Sequence, residues 1–410
     1  NTVTQLDNKK GDILLVFNGN ASDGRLNTDF NWRYDRAKDF SGTLSLTSQL
    51  GRNEETGKLT ADIDVNPTHF VVNDTTWNIE PAHIAVDGKR IKVDDVNVNR
   101  ENQFIKADGY VSSSMDDELN LQLKQVDLGY IFETLNINHV LFRGSATGDF
   151  VAAGAFSGNP KLNTDNLHVK RFAYQNAVLG DADLKSSWDN EDKGILISAA
   201  IHQYNGRESF VHGGVYLAKD SLNFKFNADR LNVEVVEPFM SAFSSDVSGE
   251  ATGEAELYGT FKLINMRGKL FANPFKMKLD YTNTYYTVSD TVVLEPGLIR
   301  LRDVTVKDPY GNTGKLNGTV THHYFKNASF DFAMTDVHNM LCFNTTDKDN
   351  PIWYGKVFAN GAAYIKGHPG LVNIDINMSA APNSSFTFVV SDREEAGEYT
   401  FVKFTDKRKE

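Results

Sequence analysis

Histidine and cysteine make the nearest thing to a reactive constellation. His322, His323, His338 and Cys342 are residue types that hold transition metals. Their spacing argues against a shared ion, because adjacent residues of a strand point to opposite faces and His322 and His323 diverge. Asp347-Lys-Asp349-Asn350 looks like part of a calcium loop, but Pro351 stands where further ligands and a glycine belong. It reads as a solvated turn. Asp116-Asp117-Glu118 supplies carboxylates of the kind a glycosidase pair uses, yet neighbouring acids at a strand start are more simply a wetted turn. No G-x-S-x-G elbow, Walker loop, H-E-x-x-H or G-x-G-x-x-G occurs. The expectation is a protein that is not an enzyme and holds no metal or cofactor. N-x-[ST] matches, Asn20, Asn327, Asn344 and Asn383 among them, are what chance gives in an asparagine-rich chain.

The totals narrow the field further. The 410 residues include 42 basic and 54 acidic ones, a net charge of −12, which argues against nucleic acid as a partner and gives no attraction to anionic lipid surfaces. A hydrophobic content of 40% is too high for a disordered chain. The single cysteine excludes an intrachain disulfide. The longest apolar runs, 13–17 and 195–201, fall far short of the roughly 18 residues of a spanning helix. The chain starts at Asn1 without a signal-peptide pattern, so any membrane anchor is expected to lie outside it.

The elements that position side chains are strands. Period-2 alternation runs through 59–65, 119–123, 222–226, 330–334 and 372–378, which places apolar groups on one face. Asp87-Gly88, Asn205-Gly206 and Asn317-Gly318 read as turns. Short helices are expected at 127–135, 233–243 and 337–343.

The pattern repeats. Gly144, Gly148, Gly154 and Phe156 recur 105 residues later as Gly249, Gly253, Gly259 and Phe261, and a looser copy spans 357–367. An alternating apolar strand precedes each copy. Ile91–Val98 resembles Ile299–Val306, and both lose parity at an Asp-Val step, Asp95-Val96 and Asp303-Val304, as a bulge or turn would cause. A period near 105 implies an extended stack. The chain reads as one continuous segment, 1–410, with approximate repeats 1–118, 119–221, 222–329 and 330–410.

An amphipathic sheet must cover its apolar face. Two sheets closing on each other make a sandwich; one sheet curling on itself makes an open trough. The recurring glycines, which let strands bend, favour the trough. The fold expected is therefore all-β, an elongated repeating β-groove. Its lining comprises Leu119, Leu121 and Leu123; Leu222, Phe224 and Phe226; Leu257 and Phe261; Ile299 and Leu301; and Phe330, Phe332 and Met334.

Several blocks carry a family resemblance: "LDYTNTYYTVSD" (279–290), "DPYGNTGKLNGTVTHHYF" (308–325), "CFNTTDKDNPIWYGKVFANGAAYIKG" (342–367) and "FTFVVSDREEAGEYTFVKF" (386–404). The first half adds "TWNIEPAHIAVDGKRIKVDDVNV" (76–98) and "GDFVAAGAFSG" (148–158). Together they are similar to the C-terminal region of the translocation and assembly module (TamB) and AsmA-like family. The resemblance implies a taco-like β-groove that crosses the periplasm of a diderm bacterium, anchored in the inner membrane by a segment this chain lacks. It also implies phospholipid acyl chains as cargo and an Omp85-class outer-membrane barrel (TamA-like) as partner. Two other readings stand beside this one: a scaffold that assists barrel assembly by strand-edge pairing, and a closed sandwich array with an adhesin or glycan-binding role.

Overall fold

A computed structural model describes residues 2–6, 13–34, 40–72, 74–130, 142–240, 243–324, 326–368 and 370–390. They form one antiparallel sheet of 27 strands. Strands β1 (Thr2–Leu6), β2 (Ile13–Ser22), β3 (Arg25–Tyr34) and β4 (Phe40–Arg52) make a meander. β4 takes two partners end to end, β5 (Leu59–Val65) and β6 (Thr68–Val72). These continue through β7 (Thr75–Ile79) and β8 (Ala82–Asp87) onto β9 (Arg90–Arg100). Each later strand pairs with its predecessor: β10 (Gln103–Val111), β11 (Glu118–Asp127), β12 (Phe142–Ala153), β13 (Lys161–Tyr174), β14 (Ala177–Asp189) and β15 (Gly194–His202), then β16 (Glu208–Tyr216), β17 (Ser221–Asn232), β18 (Val247–Gly259) and β19 (Ile264–Leu279). A second end-to-end pair, β20 (Thr284–Val288) and β21 (Thr291–Glu295), sits between β19 and β22 (Leu298–Lys307). β23 (Thr313–His323), β24 (Lys326–Thr345) and β25 (Trp353–His368) follow, and both β26 (Leu371–Ala380) and β27 (Ser385–Phe388) pair with β25. The all-β groove expected from alternation is the fold found.

What bends this sheet is a recurring bulge. Asp95, Gln125, Arg171, Arg230, Asp303 and Asn339 all have left-handed backbones, with φ between 46° and 54°, inside strands. The ladder register shifts beside each. A left-handed residue turns its N–H out of the ladder, and here a side chain on the next strand accepts it. Gln125 donates to Thr147 Oγ1 at 3.0 Å, and Arg230 donates to Thr252 Oγ1 at 2.9 Å, 105 residues on for donor and acceptor alike. Asp303 donates to Asn317 Oδ1 and Asn339 to Asn360 Oδ1, both at 2.8 Å; Arg171 donates to Asp181 Oδ1 at 2.9 Å. The parity loss at the two Asp-Val steps is this bulge.

Bulges kink the strand that carries them, and burial changes across the line they form. On one side Leu123, Leu301 and Met334 are half-buried. On the other Val126, Val304 and Val337 are 1%, 0% and 2% exposed. The buried side is where the sheet meets itself. Tyr130, just after β11, packs edge-on against Trp77 of β7, ring centroids 6.2 Å apart. Asn232 Nδ2 donates to the Val178 carbonyl at 3.3 Å, and Tyr286 Oη donates to the Leu341 carbonyl at 3.0 Å. Each tie joins strands three ladder steps apart, about 14 Å in a flat sheet. Direct contact therefore requires a curl, and the three ties recur near the repeat spacing.

Three local expectations are corrected. Residues 337–343 form part of β24, not a helix. Val337 and Met340 have the i, i+3 spacing of a helix because left-handed residues at Asp336 and Asn339 each insert an extra position into the strand. Asn317-Gly318 is not a turn but lies inside β23, where Asn317 is the bulge acceptor and Gly318 faces Phe332. The expected helix at 233–243 shrinks to a 3-10 segment, Val233–Val236, and one α turn, Glu237–Met240; residues 241–242 are outside the described set. Residues 128–130 are helical, and 131–135 lie outside the described residues.

The outer face is polar and carries cross-strand pairs: Thr43 with Asn31, Ser45 with Asp29, and a relay in which Asp183 bridges His168 at 2.7 Å and His202 at 2.9 Å. His202 also meets Glu208 at 2.9 Å. The hydrogen bond to Asp183 raises the His202 pKa above its ordinary value, and the bonds from His168 and His202 lower that of Asp183.

Two predictions follow from these contacts. Thr252→Val strips the acceptor from the Arg230 N–H and should cost about 1 kcal/mol, read as faster hydrogen exchange at that amide, whereas Thr252→Ser should restore protection. For the relay, stabilisation by His202 is complete below its unfolded pKa and fades as pH rises through its folded pKa. Stabilisation by Asp183 fades instead as pH falls through its own lowered value. The melting difference between wild type and His202→Gln should therefore be largest near about pH 5–6 and vanish in alkali. It should be on the order of a degree, because these half-exposed groups are screened.

Candidate functional site

The candidate site is the concave face of the sheet, assembled by register. From β10 to β12, Ile105 opposes Leu123, Ala107 opposes Leu121, and Leu121 in turn opposes Phe150. Further on, Val211 opposes Phe226, which opposes Ala255, which opposes Gly268; Gly268 opposes Leu294, then Ile299, Val320 and Phe330 follow on successive strands. Phe332 opposes Ile365, which opposes Ile374. The same parity holds at the other end, through Phe17, Phe30 and Leu44.

Among the described residues, the register places no Asp, Glu or Lys on this face from β2 to β26, and Arg only at two strand ends, Arg52 of β4 and Arg100 of β9; Thr28, Ser48, Thr164, Ser186 and Ser209 are among its few polar groups. At about 4.8 Å per strand step the face runs on the order of 100 Å. Its side chains are half-exposed above the bulge line, with no second sheet over them among the described residues. Leu119, Phe224 and Phe332, which a closed sandwich would seal against an opposing layer, are half-exposed members of this one sheet.

The structure brings twelve of the thirteen expected lining residues onto this face: Leu119, Leu121, Leu123, Leu222, Phe224, Phe226, Leu257, Ile299, Leu301, Phe330, Phe332 and Met334. Phe330 and Phe332 stack, centroids 5.5 Å apart. Phe261 stands apart in the turn after β18, 40% exposed. The tight Thr260–Leu263 turn ends the strand before the alternation can place it. Ile84, Val93, Ile197, Val211, Val320 and Ile365 share the face and were missed; the same alternation, read strand by strand, would have found them.

The glycine-rich strands fit here for a physical reason. At Gly249 and Gly253 the backbone has φ of 123° and 146°, and a Cβ would strike the carbonyl oxygens of Pro274 and Lys269. Only glycine lets the strand bend at that closeness. Opposite Leu257, the acids of the strand reach the outer face: Glu250 pairs with Arg230 at 2.7 Å and Glu256 with Arg267 at 2.6 Å. Hydrogen bonds from Asn223 and then Arg267 hold the Glu256 carboxyl below its usual range.

Burial shifts two of the groups first considered for chemistry. Burial, with help from the Asp308 charge, pushes the Cys342 thiol up to about 11, far from a reactive thiolate. Burial lowers the His322 pKa, which favours the neutral ring. Burial likewise raises that of the Tyr286 phenol, consistent with its role as donor in the tie to Leu341. Among the described residues no three His, Cys, Asp or Glu side chains converge as metal ligands, and no helix is long and apolar enough to cross a membrane. No protein-family model matches the chain, and no curated protein or solved structure matches it either.

Proposed function

We propose that the concave face carries phospholipid acyl chains along its length, as a non-enzymatic periplasmic conduit between inner and outer membranes. The observation that supports this reading is the half-exposed apolar face, charged only at the strand ends Arg52 and Arg100, that continues across the sheet from β2 to β26. Hydrocarbon gains about 0.8 kcal/mol per methylene on leaving water, so about 14 methylenes gain on the order of 10 kcal/mol. Similar side chains at every strand step give the chain no deep well to stop in. The sequence resemblance to the TamB and AsmA-like family points the same way and supplies the inner-membrane anchor and the Omp85-class barrel as proposed partners.

One observation favours the second reading, a scaffold for barrel strands. β26 pairs only with β25 and leaves its other edge bare among the described residues, with Ile374 and Ile376 more than half exposed. Bare edges recruit strands.

The two readings separate by crosslinking. A photoreactive residue at Phe224 should capture phospholipid, and Phe226→Arg beside it should cut capture about tenfold by placing a charge in the apolar path. Undiminished capture by a folded Phe226→Arg protein would exclude the conduit. Photoreactive residues at Asn373 and Asp375 report the edge: adducts with barrel strands there, and none with lipid at Phe224, select the scaffold.

A further inference from the structure

The wall facing away from the trough has a hollow of about 790 Å³, centred on β14 to β17. It exists because the side chains beneath it are small. Ser187, Ser198 and Gly214 form its floor, and the Tyr216 ring lies over Gly214, where a Cβ would meet the phenol oxygen at 2.7 Å. Its walls are basic. The ladder sets Lys185 opposite Ser198, Ser198 opposite His212, and His212 opposite Lys225, one row over four consecutive strands.

This row departs from the rest of the outer wall. His83, His168 and His202 each face a carboxylate, at 3.0, 2.7 and 2.9 Å. His212 faces a lysine on one side and a serine on the other. The acid opposite Lys225 is Glu256, already engaged by Asn223 at 2.9 Å and Arg267 at 2.6 Å. Asp192, at the margin, accepts Lys219 at 2.7 Å, and Asp165 is the other acid of the lining. Basic side chains directly opposite one another repel in an empty sheet, whereas an oxyanion between them turns the same arrangement into charge-assisted hydrogen bonds.

We propose that this hollow binds a phosphate group, held by Lys185, His212 and Lys225 with the Ser198 hydroxyl between them. The volume suits a phosphate carried on a small organic body, such as a free phosphorylated solute or a lipid headgroup reaching over the rim. The hollow lies on the opposite face from the trough, so the proposal stands independently of the conduit reading.

The test is calorimetric titration of the full chain with glycerol 3-phosphate at low ionic strength, with glycerol as the neutral control, alongside flotation with phosphatidylglycerol vesicles. Saturable binding of glycerol 3-phosphate, weakened about tenfold in Lys185→Gln/Lys225→Gln, is the expected result. Vesicle recruitment that falls in the same variant identifies the headgroup as the source; no recruitment identifies a free solute. The absence of saturable binding, or equal binding by a double variant with an unchanged circular-dichroism spectrum, overturns the proposal. Lipid capture at Phe224, measured on the same double variant, should be unchanged, so failure of the hollow and failure of the trough are read separately.

Discussion

The hydrogen bond from a left-handed strand residue to a side chain on the next strand is the contact on which the architecture turns. An alternating strand left to itself twists but does not crease. One extra residue per bulge creases it, and the acceptor on the adjacent strand gives the displaced N–H a partner. Thr147 and Thr252 show how economical this is, since one hydroxyl satisfies the amide and marks the bend. Without these latches, Val126 and Val304 would continue the open wall rather than seal the base.

The crease gives the trough two regimes. Below it, Tyr286, Asn232 and Tyr130 close the sheet on itself through contacts three ladder steps apart. Above it, leucine and phenylalanine rows stay half wet because no other layer among the described residues reaches them. Charge is partitioned just as sharply. Carboxylates and bases pair on the outer wall, as Glu250 does with Arg230, where water screens them and the pairs contribute little to stability. Their main effect is to keep one face wettable while the other carries charge only at strand ends.

Much of this was legible in the sequence, because period-2 alternation fixes the face of each side chain once a segment is a strand. Leu119 through Leu123 and Phe330 through Met334 were placed by that rule alone. Parity loss at Asp95-Val96 and Asp303-Val304 announced two bulges. The general form of the signal went unread. Leu123-Lys-Gln-Val126, Ala228-Asp-Arg-Leu231, Leu301-Arg-Asp-Val304 and Met334-Thr-Asp-Val337 share one spelling, two apolar residues flanking two polar ones with the left-handed residue third. Two such bulges in succession gave 337–343 its helical spacing. The ties at the base were not legible, because a contact across three ladder steps depends on curvature, which no local pattern encodes.

The order of the strands has a consequence for how the molecule comes into being. Every ladder from β9 to β19 joins a strand to the one made just before it. Pairings between near neighbours carry little loop-closure entropy and form quickly. A polypeptide threaded end-first through a narrow channel could therefore zip up as it emerges, each new hairpin templated on the last, without waiting for a distant segment to arrive.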